Sequence, residues 1–492
     1  MMHDSEQSES SIVAMKSPNK AEGKAAEAME PREDAKRNAL QATTRQTPSW
    51  ESVSPGLERV RETARTNPKL RFTALLHHIT PDLLRVAYFS LTRKAAPGVD
   101  GVTWDAYGED LESKLNDLHG RIHRGAYRAL PSRRRMIPKP DGRERPLGIA
   151  SLEDKIVQRA VVEVLNAIYE ADFIGFSYGF RPKRSQHDAL DALAFAIEKK
   201  KVNWILDADL RAFFDTVNHD WLIRFLEVRI GDRRIIRLIR KWLKAGVLED
   251  GVTSATVVGT PQGAVVSPVL SNIYLHYCFD LWAHRWRRRE ARGEVIFIRY
   301  ADDYVAGFQH KDDATAFLAD LGKRLEHYGL TLHPDKTRLI EFGRFAAERR
   351  AKRGLRKPET FTFLGFTHIC GKDKFGRFAL RRQTRPDRMR RTLQAVKEQM
   401  HKRMHQSIPE QGRWLGQVVR GYFAYHAVPT NTRAIAAFRW DVTRIWRHAL
   451  KRQSQKGDST WNRMCALAKQ WLPPAHVLHP WPTQRFIVNH SR

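Results

Sequence analysis

The sequence predicts an α+β fold, and three features of the 492-residue chain lead to that prediction. Long segments place apolar residues three or four positions apart, as amphipathic helices do; residues 104–124 and 152–171 are examples. Short apolar runs bounded by turn residues, such as VIFI and YVAGF, are typical of buried strands. From about Pro386 onward the helical spacing prevails. We therefore expect a mixed region followed by a helical one.

The charge of the chain indicates a polyanionic partner. The formal net charge is +30, which favours nucleic acid, although a merely basic surface is the alternative. Residues 1–50 contain eight acids and seven Lys or Arg, so the surplus lies in the rest of the chain. Because this opening is also poor in aromatic residues, we expect residues 1–55 to form a disordered tail.

Several protein classes are disfavoured by composition. No run approaches the roughly 18 apolar residues of a membrane helix. The opening has no apolar core for a signal peptide, and its acids argue against a transit peptide. The three cysteines are far apart and form no disulfide or metal pattern. We expect a cytoplasmic protein with no membrane partner.

The order of predicted elements is informative. Residues 56–92 are predicted to be helical, and residues 133–149 form a basic hairpin around the turn signal PDG. A basic loop, SYGFRPKRS, then leads into a helix. The later segments are a buried strand that bends (WILDAD), a Gly/Pro loop (GTPQGA), a helix, a hairpin (295–308), a helix (314–328) and two strand-like stretches (LTLHPDKTRLIEFG and TFTFLGF).

Two adjacent acids lie at the tip of the predicted hairpin FIRYADDYVAG. Asp302 and Asp303 would repel each other unless a cation neutralises them, and Mg²⁺ is the usual choice for oxygen ligands. The alternative is an ordinary surface turn. A site for two ions needs a further carboxylate, and Asp209, which ends the buried strand WILDAD, is the natural partner. The backbone carbonyl of Leu210 is a further candidate ligand.

In combination these motifs resemble the group II intron-encoded reverse transcriptase/maturases. YADD (300–303) matches the Y-x-D-D box, and LDADLRAFFDTVNH (206–219) is similar to the first catalytic box. The other matching segments, in the family's order, are IPKPDGRERPLGIA (137–150), SYGFRPKRSQHDAL (177–190), TPQGAVVSPVLSNIYL (260–275), LTLHPDKT (330–337) and FLGF (363–366). The resemblance covers roughly residues 70–490 and implies an RNA-directed DNA polymerase that uses two Mg²⁺ ions, dNTPs and a DNA primer or target.

The resemblance implies roles for individual residues, each with a plainer alternative. Asp209, Asp302 and Asp303 would be catalytic, and with Leu210 they would hold the metal. The nucleotide-binding candidates are Lys139, Arg145, Phe214, Gln262, Gly263 and Lys336. The alternatives are a solvated face for the cations, core packing for Phe214 (with Phe213 equally ambiguous), and a structural turn for Gln262 and Gly263. Arg181, Lys183 and Arg184 are the candidates for template phosphates.

The C-terminal third is expected to bind RNA. Residues 381–452 contain 17 Lys or Arg and four acids, interleaved with aromatic residues. We expect the rings to lie mostly inside a helical core and the cations outside. GYFAYH (421–426) and RIWRHALKRQSQ (444–455) resemble the family's thumb, or maturase (X) domain, which implies binding and splicing of the intron RNA. The candidate RNA contacts are Arg420, Tyr422, Arg444 and Arg447.

The resemblance also implies the domain organisation. We expect a right-hand polymerase: an N-terminal helical extension of the fingers (56–125), fingers and palm with an antiparallel sheet (126–370), and an α-helical thumb (371–492). With only Cys465 in the last segment, the chain resembles the bacterial subgroup that lacks the Cys-pair endonuclease. Two alternatives remain open. One is a splicing cofactor without polymerase activity; the other is a polymerase of a retron, a diversity-generating element or a CRISPR-associated system.

Overall fold

The computed structural model describes residues 55–138, 144–249, 252–254, 259, 263–453 and 460–484. The predicted tail, apart from its last residue, lies outside the described residues. Helices and sheets both occur, and the chain is α+β as predicted. No helix within the described ranges is long and apolar enough to cross a membrane.

The N-terminal region is helical but interrupted. Its helices are α1 (Pro55–Thr66), α2 (Pro81–Ser90), α3 (Trp104–Gly108) and α4 (Leu111–His123), with a 3₁₀ turn at Leu76–His78. The segment 56–92, predicted to be helical, is thus helical at both ends and broken in its middle. Its middle is instead held by Asp232, whose carboxylate accepts hydrogen bonds from the backbone N–H groups of Leu75 and Leu76 at 2.8 and 3.0 Å. Helix α2 restarts where Thr80 caps it and Pro81 occupies its first turn.

The basic hairpin forms as predicted. Strands β1 (Ser132–Pro138) and β2 (Glu144–Ile149) pair in antiparallel register, from Arg133 opposite Ile149 to Pro138 opposite Glu144. Two further strands, β4 (Val247–Glu249) and β5 (Val252–Ser254), extend this sheet in the order β2-β1-β4-β5. The expectation of a purely antiparallel sheet is corrected here, because β1 and β4 pair in parallel.

A second, fully antiparallel sheet lies at the centre of the molecule. Its strands are β3 (Trp204–Asp209), β6 (Val295–Tyr300), β7 (Asp303–Phe308) and β8 (Arg338–Glu341), in the order β6-β7-β3-β8. Since side chains alternate between the faces of a strand, Leu206 and Ala306 pack into one core and Ile205 and Val305 into another. Asp209 lies four residues after Ile205 and Asp303 two residues before Val305, so both acids are on the face of the sheet that carries Ile205 and Val305.

Helices cover both faces of the central sheet. The helices between β2 and β9 are α5 (Leu152–Asp172), α6 (Gln186–Lys199), α7 (Phe213–Thr216), α8 (His219–Arg229), α9 (Arg233–Lys244), α10 (Ser267–Leu275), α11 (Leu281–Arg289), α12 (Lys311–His327) and α13 (Ala346–Lys352). Helices α10 and α11 are joined by one π-helical segment, His276–Asp280. Helix α6 contacts β6 on one side of the sheet and α12 contacts β3 and β7 on the other.

A third sheet and a helical region complete the chain. Strands β9 (Phe361–Phe363), β10 (Phe366–Lys372) and β11 (Phe378–Thr384) pair antiparallel in the order β11-β10-β9. They pack into the same core as Ile205 and Val305. The last helices are α14 (Pro386–Lys402), α15 (Ile408–His426), α16 (Thr432–Gln453) and α17 (Trp461–Trp471), which share a core of their own.

The rings of the helical region lie mostly inside, as expected. Trp414, Tyr422, Phe423 and Trp446 are buried, whereas Trp440 is half exposed. The domain boundaries predicted from the sequence remain predictions.

Candidate active site

The β6–β7 hairpin and the end of β3 bring the predicted acids to one edge of the central sheet. Asp209 is the direct cross-strand partner of Asp303. Residues 301 and 302 form the two-residue connection between Tyr300 and Asp303, which are themselves paired. Directly opposed residues on antiparallel strands have Cβ atoms about 5 Å apart. The hairpin tip therefore presents Asp302 beside two acids that the strand register holds together.

Negative charge is concentrated at this edge of the sheet. Burial raises the pKa of Asp303 well above its usual range, and the charges of Asp302, Asp207 and Asp209 raise it further. Asp207 was not among the predicted site residues. The alternation of WILDAD signals it, since Asp207 and Asp209 are two residues apart and lie on one face. Burial also raises the pKa of Asp207, and its carboxylate lies 3.4 Å from the guanidinium of Arg338.

A lysine side chain lies against this acidic edge. The ammonium of Lys336 is 2.6 Å from a carboxylate oxygen of Asp209, and both side chains are partly exposed. The backbone brings them together: the N–H of His333 donates to the carbonyl of Asp209 at 2.8 Å. The stretch LTLHPDK thus runs along the end of β3, as its place in the predicted site requires.

The carbonyl of Leu210 faces the hairpin. Leu210 and Leu332 form an isolated antiparallel bridge, in which the flanking residues make the bonds: Arg211 N–H donates to Thr331 and His333 N–H to Asp209. Backbone groups of successive residues in an extended chain point to opposite sides. The carbonyl of Leu210 therefore points away from residues 331–333, toward the side on which β7 lies.

The donor set at this edge fits a hard divalent cation. Carboxylate and carbonyl oxygens are the ligands that Mg²⁺ takes, and a cation beside Asp303 would offset the burial and the neighbouring charges that raise its pKa. Over the described ranges, no three His, Cys, Asp or Glu side chains are already gathered as a closed metal cluster. Asp209 turns instead to the ammonium of Lys336, so a cation already neutralises one of the acids.

The two neighbouring phenylalanines that the sequence could not tell apart differ in burial. Phe213 is buried in the core, whereas Phe214 packs against it at a ring distance of 5.4 Å and is only half buried. Of the two, Phe214 is the ring that is partly accessible to solvent. Its backbone carbonyl touches Gly259, where an added Cβ would be 2.9 Å away.

The Gly/Pro loop meets the basic hairpin. Gly263 has φ +106 and a Cβ there would lie 2.8 Å from the carbonyl of Gly148 on β2, so glycine is required for conformation and for space. This contact sets the loop beside the strand that carries Arg145. Lys139 and Gln262 lie outside the described residues, and for Arg145 only the backbone is described.

The assignment of Arg181 and Arg184 to template phosphates needs correction. Arg181 is buried, with its guanidinium 2.9 Å from Glu170 and 2.8 Å from the carbonyl of Ser177. Arg184 donates to the same carbonyl, also at 2.8 Å, and burial lowers its pKa to about 10. Both cations hold their own loop together, because a basic sequence does not reveal which guanidiniums find partners inside. Lys183, with φ +60, is exposed.

Tyr422 also differs from its predicted role. Its ring is buried and stacks on Phe438 at a centroid distance of 3.5 Å, so it is part of the helical core and cannot stack on an RNA base as placed. Arg420 and Arg444 are exposed as expected, Arg444 lying 3.3 Å from Asp441. The guanidinium of Arg447 lies 4.5 Å from the ring of Trp461.

The helical region reaches the acidic edge. The hydroxyl of Tyr425 donates to the carbonyl of Leu364 at 2.7 Å, which fixes α15 to the FLGF turn. The charge of Arg388, on α14, counteracts the raised pKa of Asp303. Sequence reasoning missed Arg388, and no local pattern distinguishes it from its many basic neighbours.

Comparison with known proteins agrees with this geometry. Residues 137–368 match the family described as "Reverse transcriptase (RNA-dependent DNA polymerase)". Protein YkfC of Escherichia coli is 38% identical over 275 residues, which cover 49% of this chain and 72% of that protein. The group II intron-encoded protein LtrA of Lactococcus lactis is 37% identical over 222 residues, 45% of this chain and 37% of LtrA.

A plant protein is also similar to this chain. Nuclear intron maturase 3 of Arabidopsis thaliana is 30% identical over 131 residues, 26% of this chain and 18% of the maturase. The chain thus spans well under half of LtrA and of this maturase. The matched family, the YkfC alignment and the opposed aspartates at one sheet edge lead to one assignment: the chain belongs to the group II intron-encoded reverse transcriptase/maturases.

Proposed function

We propose that this chain is an RNA-directed DNA polymerase that copies group II intron RNA into DNA and also acts as a maturase, binding that RNA and promoting its splicing. The observation that carries the polymerase activity is the register that sets Asp209 opposite Asp303 beside the Asp302 turn. Family membership supports the same reaction. The maturase activity rests on the intron-encoded relatives and on the basic helical region.

In this proposal the chain is a right hand. The central sheet is the palm, the β1–β2 hairpin with its neighbours belongs to the fingers, and helices α14–α17 form the thumb. The proposal places the protein with its nucleic acids in a bacterial cytoplasm.

The acidic edge has a defined part in the reaction. Asp209, Asp302, Asp303 and the carbonyl of Leu210 would hold two Mg²⁺ ions, which supply activation of the primer 3′-hydroxyl and neutralisation of the leaving pyrophosphate. Lys336, whose ammonium pairs with Asp209, would release that carboxylate to the metal and would donate a proton to the leaving pyrophosphate.

Two features of the chain would select and hold the nucleotide. The half-buried ring of Phe214 excludes the 2′-hydroxyl of a ribonucleotide by occupying its space. Gly263 lets the backbone of its loop approach the nucleotide beside β2, whose Arg145, with Lys139, would bind the triphosphate.

Primer extension tests the polymerase. Wild type and Asp302→Ala are compared on a DNA primer annealed to an RNA template with dNTPs and Mg²⁺. Asp220→Ala, which removes an exposed acid at the start of α8, serves as the matched control. We expect extension by wild type and by the control, and a loss of at least about 10³-fold in Asp302→Ala, which lacks a metal ligand.

A splicing assay with the intron RNA separates the two activities. We expect Asp302→Ala to promote splicing as wild type does, because the acid lies on the palm and the RNA contacts are expected mainly on the thumb. If no protein extends the primer while all of them promote splicing, the chain is a maturase without polymerase activity. If none promotes splicing while wild type extends, the polymerase serves another genetic system.

A further inference from the structure

A buried arginine, Arg299, contacts the turn formed by Ala301 and Asp302. Arg299 is the penultimate residue of β6, and its side chain is 1% exposed, paired with Asp280, which is 0% exposed. Both ions are thus removed from water. A buried ion pair is weak evidence for stability, because its desolvation offsets much of the attraction. The geometry that the guanidinium imposes is the better explanation for its presence.

All five N–H donors of Arg299 have an acceptor. The Nε–H donates to Asp280 at 2.7 Å, and one Nη donates both to the side-chain oxygen of Asn272 at 3.1 Å and to the carbonyl of Ala301 at 2.9 Å. The other Nη donates to the hydroxyl of Ser177 at 2.7 Å and to the second oxygen of Asp280. Only a planar fork with five donors can satisfy this set.

The acceptor on the turn is the informative one. Ala301 has φ +56, a left-handed conformation that is unfavourable for a non-glycine residue because its Cβ approaches the following carbonyl oxygen. Ala301 immediately precedes Asp302, so its backbone sets the direction in which both acids leave the hairpin. The hydrogen bond from Arg299 to its carbonyl holds this backbone in place from the protein interior.

The same arginine ties the turn to the loop that precedes α6. Its backbone N–H donates to Phe176 and its carbonyl accepts from Tyr178, both at 2.8 Å. The amide nitrogen of Asn272 donates to the carbonyl of Gly179 at 2.7 Å. Loop, helix α10 and turn therefore meet at one guanidinium.

We propose that Arg299 is a positioning residue of the polymerase. Through its bond to Ala301 it fixes the turn that orients the carboxylates of Asp302 and Asp303. Through Ser177 and Asn272 it links this orientation to the loop at 176–180. This inference rests on the proposed function for its catalytic meaning. It predicts that Arg299 governs how tightly the site holds metal and leaves the binding of primer and template unchanged.

The decisive variant is Arg299→Lys, which keeps the charge but lacks the fork. Arg382→Lys is the matched control, since Arg382 is 2% exposed and pairs with Asp191, 4% exposed, at 2.7 Å, but lies on β11. Mn²⁺ is titrated into a complex of protein, RNA template, chain-terminated primer and next nucleotide, and free Mn²⁺ is read by electron paramagnetic resonance. Thermal unfolding and the Kd for primer–template are measured beside it.

We expect Arg299→Lys to weaken Mn²⁺ binding by about tenfold, as loss of a group that orients metal ligands does, with the primer–template Kd within about twofold. Extension should fall most at limiting Mg²⁺ and recover at saturation. Arg382→Lys should lose thermal stability without a shift in Mn²⁺ affinity. If the two variants lose stability alike and neither shifts Mn²⁺ affinity, Arg299 is only a structural ion pair and the proposal is overturned.

A milder variant keeps the test decisive if Arg299→Lys does not fold. Ser177→Ala removes one acceptor of the guanidinium, and a weakening of Mn²⁺ binding by about twofold is expected, whereas an unchanged affinity refutes the proposal. If wild type fails to extend primers, the proposed function is wrong. The Mn²⁺ titration then still decides whether Arg299 positions a metal site.

Discussion

Replacing Gly179 by alanine should damage the catalytic turn without touching an acid. A Cβ at Gly179 would lie 2.3 Å from the backbone nitrogen of Ala301, 2.9 Å from the carbonyl carbon of Tyr300 and 3.1 Å from the Cα of Ala301. Carbon contacts are comfortable at about 3.5 Å, so loop and turn must separate by roughly 1 Å. The neighbours are backbone, which cannot rotate away as the end of a side chain can.

The size of the effect follows from that displacement. Overpacking of this kind costs about 1–3 kcal/mol of stability. A misplacement of about 1 Å at reacting groups costs about 10²-fold in rate. We therefore expect Gly179→Ala to lower single-turnover primer extension by between about ten- and 100-fold, while the protein remains folded.

Gly322→Ala is the matched control. Gly322 lies within α12, and a Cβ there meets nothing within 4 Å. Alanine at a helix interior stabilises by about 0.5–1 kcal/mol, so this variant should extend as wild type does and unfold at a slightly higher temperature. If both variants extend the primer equally, the contact of the loop at 176–180 with the turn does not position the acids for catalysis.

Three further predictions concern charge and pH. Lys336→Met should lower extension at least about tenfold, since a proton donor is lost, yet change stability by no more than about 1 kcal/mol because its ion pair is exposed. Lys352→Met, which breaks an exposed pair with Glu348 at 2.8 Å, is the control that should leave extension unchanged; equal loss in both would contradict a role for Lys336. Burial lowers the pKa of His368 from about 6.5 to about 3. Between these two pH values the unfolded chain binds a proton at this imidazole and the folded chain does not. The free energy of unfolding therefore falls as the pH falls from about 6.5 to about 3. His368→Phe lacks this protonation, so its free energy of unfolding relative to wild type, measured with urea, should rise by about 2 kcal/mol between pH 8 and pH 5. If that difference between variant and wild type is the same at both pH values, the imidazole does not resist protonation in the folded protein. Arg444→Gln should weaken RNA binding and reduce the slope of log K against log salt by about 0.7–0.9, without lowering the unfolding temperature; an unchanged slope would place the RNA elsewhere.

Much of the fold could be predicted because the local signals are strong. The hairpins at 133–149 and 295–308 combine β-rich runs with turn residues, and both form antiparallel strand pairs as predicted. The helices α5 and α12 follow their apolar periodicity closely. The break between α1 and α2 could not be predicted in the same way, since it depends on Asp232, more than 150 residues away in sequence.

The sequence by itself determined which chemistry this chain carries. Adjacent acids between apolar strands, a third acid ending WILDAD, and the order of the boxes required no tertiary information, since all of them are local patterns along the chain. Composition likewise showed that the C-terminal region is basic.

Tertiary structure alone decided which polar side chains reach solvent and which are used inside. Arg181, Arg184 and Arg299 are indistinguishable from their basic neighbours in sequence, yet all three guanidiniums find acceptors in the interior. The same holds for Tyr422, whose ring stacks on a residue of another helix. The physical reason is that a charged or aromatic side chain can be buried only where partners satisfy or pack against it. These partners come from distant segments that only the fold brings together.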